Sequence, residues 1–445
     1  MNLPPSPPGN RLWGHTALIA RDPMGYLFGA ALRYQPLCRL RMIGMDLYVT
    51  AHPDVVRQVF VSRADSFVKG PAFQTLSLLT GQGLVTSEGA FWKRQRRLAN
   101  PAFHKDKLRG FLQMFLDCGT DVLRQWQGYG PEEVHRMIFE MGELTLRVAG
   151  KALFGIDLYR EAATVPPDVK QALAFIDRRI YTLPRYPMGL PLAAHLRFFR
   201  NRRRLDAVVY RIIDERLRGA TAGDDLLQAF LEAVDEETGE KMSREQLRDE
   251  VMTLFLAGFE TSSNALTWAW YILWQQEEVW AKFQEELRQV VGAGEVRPEH
   301  LPQLVYTRAV IEETLRLYPP VYHLQRQLAE DLELEGYPLK KGAVVLTSVV
   351  ALHRNPACWD RPDEFRPERF LPAGGGQAAK GAYIPFGAGQ RMCIGSQFAL
   401  WEMVAVLAVL GRHLRPRPVE GYVPRMVPSL TLGASEGMPM HIRPF

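Results

Sequence analysis

The stretch that decides the fold is Phe386-Gly387-Ala388-Gly389-Gln390-Arg391-Met392-Cys393-Ile394-Gly395. Glycines at 387, 389 and 395 permit tight turns and close backbone approach. The run that follows, Gln397 to His413, is apolar and reads as a helix. The loop therefore delivers one cysteine to the start of a helix, where backbone amides favour the thiolate. Arg391 places a cation two residues before the sulfur, and Phe386 offers an aromatic face to shield it. An isolated cysteine in such a loop would read as a small buried hydrophobe. The complete spacing F-G-x-G-x-R-x-C-x-G argues instead for a sulfur held as a ligand.

The totals narrow the rest. The 445 residues are 47% hydrophobic and 23% charged with a net charge of +5, ordinary for a globular chain and too mild to argue for nucleic acid. The length prior would allow about three domains, yet no linker composition divides the chain, and residues 1–445 are read as a single domain. Cysteines stand at 38, 118, 358 and 393 without a C-x-x-C pair, so neither a zinc site, a redox dithiol nor a disulfide framework is indicated, and a reducing, cytoplasmic setting is expected. Met1 to Asn10 is mostly proline and polar residues, unlike a signal peptide. The most apolar long stretch, Phe398 to Gly411, is shorter than a membrane span and carries Glu402, so it reads as a buried core helix.

Taken in order, residues 37–50 predict a β-hairpin, with Cys38, Leu40 and Met42 alternating with Arg39 and Arg41 and a turn at Gly44. Pro53 opens a short helix through Val61. Residues 66–90 read as loop-rich with short apolar runs. On the helix predicted around Phe91 to Arg97, Trp92 and Arg96 share one face and offer two donors that suit a carboxylate. Residues 106–155 read as two helices broken at Gly128 to Pro131, and 167–218 as two more joined by the proline-rich 182–191. Ser243 and Gln246 form a capping box that opens the longest helix, running to about Trp274. Its centre is Ala257-Gly258-Phe259-Glu260-Thr261-Ser262. Glycine inside a helix costs about 1 kcal/mol against alanine, and a carboxylate and hydroxyl beside it describe a notch for a small polar ligand. A helix over 304–318 carries Glu313 and Arg316, three apart and able to pair. Strands are predicted at Tyr322–Ala329 and Ala343–Val350, and a final hairpin over Val427–Pro444 turning near Glu436-Gly437. The fold class is mainly α with small β-sheets, the β-rich parts lying at about 37–50, 321–350 and 427–444.

Five motifs in this order, W-x-x-x-R at 92–96, A-G-x-E-T-S at 257–262, E-x-x-R at 313–316, P-E-R-F at 367–370 and the cysteine loop, resemble those of the cytochrome P-450 superfamily. The resemblance covers essentially the whole chain and is to the soluble bacterial type. It implies the cytochrome P-450 fold with haem b between the long central helix and the cysteine-bearing helix. It implies Cys393 as the axial ligand of the haem iron, Trp92 and Arg96 on one propionate, Arg326 on the other, and Arg391 beside the same site. It assigns Glu260 and Thr261 to oxygen activation and proton delivery, and Glu313, Arg316 and Arg369 to a buried structural network. It makes residues 66–90 a cover over the haem, 182–191 a lid, and Ser429-Leu430-Thr431 a part of the pocket. Pro4 to Gly9 resembles the proline-rich hinge that follows the anchor of membrane-anchored members.

The activity implied is monooxygenation, with one oxygen atom of O2 inserted into a hydrophobic substrate. The chain ends soon after the cysteine helix with no fused reductase, so a separate ferredoxin or flavodoxin with its NAD(P)H reductase is expected. Lys93, Arg94 and Arg97 are available for an acidic partner, and the chain is expected to be monomeric. A peroxide-driven peroxygenase is the first alternative, but family members of that kind usually lack the acid–threonine pair. A non-catalytic haem sensor or carrier is the second, and the same pair counts against it. Candidate lining residues, among them Phe73, Leu84, Val85, Ala257, Val321 and Leu430, are apolar and suit a fatty acid, carotenoid, terpene or similar ligand. The stretch Gln74 to Trp92 resembles bacterial members that hydroxylate carotenoids or fatty acids.

Overall fold

The computed structural model describes residues 3–157, 165–181, 186–219, 223–372 and 379–443. The chain packs as two compact units. One comprises Met1–Ala72, Ala309–Cys393 and Met426–Gly433, the other Phe73–Arg308, Ile394–Arg425 and Ala434–Phe445.

The first unit is built on a five-stranded sheet. The expected hairpin forms from Cys38–Met42 and Met45–Thr50, with Leu40 opposite Leu47. Its alternation buries Cys38 and Leu40 completely and leaves Arg41 exposed. Met45–Thr50 then pairs in parallel with Val344–Ser348, which pairs antiparallel with His323–Leu328. Phe67–Lys69 closes the edge, placing Lys69 opposite Arg326. Both predicted strands of 321–350 are therefore present, and the chain turns helical at Val349.

The second unit is mainly helical, and helix makes up 56% of the structure. Its central helix, Arg244–Gln275, opens on the predicted capping box: Gln246 N–H donates to Ser243 Oγ at 3.2 Å and Ser243 N–H to Gln246 Oε1 at 2.7 Å. Every residue from Ser262 to Leu273 is buried, as expected of a helix surrounded by others. Met137–Phe154 packs along it, and Thr145 Oγ1 donates to Phe259 O at 2.9 Å. Helix Ser396–Gly411 is apolar all round and lies against Leu112–Gln127, where a Cβ on Gly119 would meet Val409 Cβ at 3.3 Å. Among the described residues no helix is long and apolar enough to cross a membrane.

Two local expectations are corrected, and one hairpin was not foreseen. Pro71–Thr80 is a helix inside the stretch read as loop-rich. Proline opens it and Gly81, at φ +60°, stops it, so the flanking turn residues had masked a ten-residue helix. The C-terminal segment is not one hairpin. Met426–Pro428 pairs with Leu432–Ala434, whereas Pro439–His441 pairs with His135–Arg136 and Arg417–Pro418, strands remote in sequence. An unforeseen hairpin joins Leu332–Leu334 to Tyr337–Leu339 through Glu335 and Gly336, both at positive φ, as a tight two-residue turn requires. Residues 182–185 of the proline-rich connection and Pro444 of the final segment lie outside the described residues.

Candidate active site

In the first unit the cysteine loop owes its path to two glycines. Gly387 and Gly389 adopt φ +76° and +69°, a region that favours glycine. A Cβ on Gly389 would lie 1.9 Å from the Phe60 carbonyl oxygen, so only glycine lets the loop run against that backbone. Cys393 N–H donates to Phe386 O at 2.9 Å and closes the turn. Cys393 is exposed. The other sulfurs are inert fillers: burial pushes the thiols of Cys38 and Cys118 up to about 12 and about 11, and also raises that of Cys358. Arg391 ends the short turn Gly389–Arg391 and is half-buried. Arg326 is buried, with its guanidinium 4.8 Å from the centre of the Phe60 ring. Phe60 thus touches Arg326 with its ring and the cysteine loop with its carbonyl, which sets the strand's arginine beside the loop.

A buried ionic network stands behind that loop. Arg316 donates to both oxygens of Glu313, at 2.6 and 2.8 Å, and to the carbonyls of His353, Pro362 and Glu364. Arg369 Nε reaches Glu313 Oε1 at 3.3 Å, completing the predicted Glu–Arg–Arg set. Such a pair is tolerated without water because nearly every donor is used. His353, which the motifs did not single out, carries the network to the cysteine loop. Its Nδ1 donates to Arg316 O at 3.0 Å and its Nε2 accepts the Ile384 N–H at 2.9 Å, so the ring must be neutral. Burial pushes its pKa down to about 3. Tyr383 OH adds a second tie, to Glu312 O at 2.9 Å.

In the second unit Trp92 and Arg96 stand one turn apart on helix Gly89–Ala99, the tryptophan buried and the arginine half-buried. Their neighbours correct an expectation. Arg97 donates from Nε and a terminal nitrogen to Asp235 at 3.1 and 3.3 Å, and Arg94 lies 3.1 Å from Glu240 and 3.6 Å from Asp235. Thr238 Oγ1 also donates to Asp235, and the Arg97 guanidinium holds that carboxyl below the usual range. Of the three cations offered for docking, Arg94 and Arg97 are engaged internally and Lys93 is exposed.

The central helix runs unbroken through the expected notch. Thr261 Oγ1 donates to Ala257 O at 2.7 Å. The opening comes from small side chains: Ala257 and Gly258 are exposed on a helix that is otherwise largely buried, and a Cβ on Gly258 would meet nothing within 4 Å. Glu260 and Thr261 are half-buried beside it. Ser262 Oγ donates to Glu402 Oε2 at 2.7 Å, and burial pushes this carboxyl up to about 8. A buried carboxyl group with a raised pKa is therefore bonded to Ser262, the residue that follows Thr261. Its only sequence signal was a charge inside an apolar helix. A second buried acid, Glu250, accepts the Leu84 N–H at 3.0 Å and is also pushed up to about 8 by burial. Asp249 accepts the Gln82 N–H at 2.7 Å, so two carboxylates of the central helix strap down the loop before Trp92.

The family model described as Cytochrome P450 matches residues 4–435. The chain belongs to the cytochrome P450 family. It is 36% identical to cyclooctatin synthase of Streptomyces melanosporofaciens over 96% of this chain and 93% of that protein. It is 33% identical to cyclooctat-9-en-7-ol 5-monooxygenase of the same organism, over 92% of this chain and 88% of that one. Pentalenene oxygenase of Streptomyces avermitilis is 31% identical over 89% and 87%. The crystal structure of the cytochrome P450DA haem domain superposes at a TM-score of 0.92 with 27% identity, covering 100% of this chain and 98% of that one. This cytochrome P450 is a monooxygenase whose cofactor is haem iron, and it requires a redox partner, O2 and a hydrophobic substrate. The donor set fits that cofactor. Among the described residues no group of three or more His, Cys, Asp and Glu is placed to hold a metal ion, whereas one exposed sulfur on a preorganised loop suits a metal that brings its own equatorial nitrogens.

Proposed function

We propose that this cytochrome P450 hydroxylates a terpene, with all 445 residues acting as one haem b domain fed by a separate ferredoxin or flavodoxin and its NAD(P)H reductase. The observation that carries the substrate class is similarity over nearly the full chain to terpene-oxygenating relatives. It narrows the earlier range of fatty acid, carotenoid or terpene. Haem bound through Cys393 supplies dioxygen binding and the one-electron chemistry that cleaves the O–O bond. The protein's own part is binding, orientation and proton control. Cys393 presents its sulfur as thiolate. Trp92, Arg96, Arg326 and Arg391 supply donors for two propionates. Thr261 holds a proton on Oγ1, given to Ala257 O at 2.7 Å, and lies next to the open Ala257–Gly258 face. Glu260 stands beside it as the exchangeable acid. The retained Glu260–Thr261 pair favours the O2 route over peroxide. The enzyme works as a monomer in the cytoplasm.

Two experiments test this reading. Cys393→Ser is expected to abolish the reduced carbon monoxide spectrum typical of a thiolate-ligated haem, and a retained spectrum refutes the ligand assignment. An optical titration of the purified enzyme with cyclic terpenes, carotenoids and fatty acids is expected to shift the Soret band from low to high spin with terpenes. A shift with fatty acids or carotenoids alone overturns the substrate class and leaves the ligand assignment standing.

A further inference from the structure

We propose, on the reading that Trp92 and Arg96 bind a haem propionate, that Asp235 is the positioning residue for those two donors. It grips helix Gly89–Ala99 from behind, through Arg94 and Arg97, and fixes where the propionate-facing side stands. All these residues lie in the second unit.

The helix needs an external clamp. It carries Lys93, Arg94, Arg96 and Arg97 and no acid, so like charges crowd one another at neighbouring positions. At 3.6 residues per turn, Arg94 and Arg97 lie about 150° round the axis from Trp92 and Arg96. The segment Asp235–Lys241 supplies what that rear face lacks, with four carboxylates against one lysine. Arg97 donates twice to Asp235 and lies 2.8 Å from Glu237. Arg94 lies 3.1 Å from Glu240 and donates to Lys241 O at 3.1 Å.

Two features single out Asp235 among the four acids. It is 1% exposed, whereas Glu236, Glu237 and Glu240 are exposed. A carboxylate taken out of water must be paired in a fixed geometry, while exposed pairs contribute little. The loop is also folded around it. Thr238 Oγ1 donates to its carboxylate at 2.9 Å, its own N–H donates to Glu240 O at 2.9 Å, and Gly239 N–H donates to its carbonyl at 2.8 Å. Gly239 makes the turn at φ +71°. Two residues beyond Lys241 stands Ser243, the cap of the central helix. One short joint therefore fastens the helix bearing Trp92 and Arg96 to the start of the helix bearing Ala257 to Thr261. A small rotation about the helix axis is amplified at the end of a side chain as long as arginine, so donors of this kind need a supporting shell that holds them closely.

The test compares haem-loaded full-length variants by haem transfer to excess apomyoglobin, by reduction potential and by amide exchange over residues 89–99. Asp235→Asn is expected to speed haem loss about tenfold, as loss of an outer-shell partner does at other metal centres. It should also quicken exchange in the helix and raise the potential, because a buried negative charge is gone. Glu237→Gln and Glu240→Gln remove the same charge from exposed sites and are expected to leave haem loss unchanged. The double variant Asp235→Asn with Arg97→Gln separates position from charge. It cancels the change in charge, so the potential is expected to return toward the parent value while haem loss stays fast. Parent-like haem loss in the double variant would mean a purely electrostatic role and overturns the proposal. So does unchanged haem loss in folded Asp235→Asn. Thr238→Val, which removes one donor to Asp235, is expected to act more weakly in the same direction, and if Asp235→Asn does not fold, parent-like behaviour of Thr238→Val overturns the proposal instead. Arg96→Gln keeps the underlying reading separate. Fast haem loss there with none in Asp235→Asn leaves the propionate assignment standing and refutes the clamp alone, whereas no effect of Arg96→Gln refutes the assignment and the clamp with it.

Discussion

Lowering the pH from 7 to 5 should strain one ring in particular. His353 is fully enclosed, with Nδ1–H on Arg316 O and Nε2 accepting Ile384 N–H, and burial pushes its pKa down to about 3. In the unfolded chain the ring takes a proton near pH 6.5. Between these values the unfolded state binds more protons than the folded one, so stability is lost as the pH falls through 6.5 toward 3. For one such group the loss between pH 7 and pH 5 is about 2 kcal/mol. His323, also pushed down to about 3 by burial, adds a similar amount. The substitution His353→Gln isolates the first share. Its amide oxygen can accept the Ile384 N–H and its NH2 can donate to Arg316 O, but it cannot titrate. The assay is urea unfolding at pH 7 and pH 5, followed by tryptophan fluorescence and by exchange of the Ile384 amide. Wild type should lose about 2 kcal/mol more than His353→Gln over this interval. An equal loss in both proteins would refute the claim that a neutral His353 holds the cysteine loop to the Glu313–Arg316 network.

Gly389→Ala should cost more than Gly387→Ala. Both sit at positive φ, worth about 1–2 kcal/mol for an L side chain, but only at 389 would the Cβ strike a backbone oxygen, at 1.9 Å. Thermal melts and the fraction of thiolate-ligated haem should rank them in that order. At about pH 4, below both pKa values, Glu402→Gln should be nearly neutral and Glu402→Ala, which orphans the Ser262 hydroxyl, should cost about 1–3 kcal/mol in a denaturant titration, whereas at pH 7 Glu402→Gln should be more stable than wild type. The folded-state pKa of Glu402 is raised to about 8, so wild type should lose stability as the pH rises from the unfolded value toward 8, and the glutamine variant should be flatter. Asp235→Asn releases Arg94 and Arg97 from their internal partner. Steady-state assays should then show a lower KM for an acidic ferredoxin with steeper salt dependence, and an unchanged KM would mean that face is not used for docking.

Local chemistry made much of this protein legible before any contact was known. A cap such as Ser243 with Gln246, a paired Glu313 and Arg316 three residues apart, and a loop that needs glycine at 387 and 389 are each decided within one or two turns of chain. The sequence by itself therefore determined the mainly helical class, the hairpin of 37–50, the long central helix and the order of the motifs. Short elements bounded by turn residues, such as Pro71–Thr80, escaped because glycine and proline dominate a ten-residue window. What only the tertiary structure decided are pairings across long separations. Leu47 meets Val344 in a parallel pair, Pro439–His441 leaves its expected hairpin for His135 and Arg417, and Asp235 takes the two arginines that seemed available for a partner. The same is true of the neutral His353 and the protonated Glu402. A side chain's charge state and partner depend on which distant surfaces exclude water around it, and that burial is a property of the packed chain, not of the residues on either side.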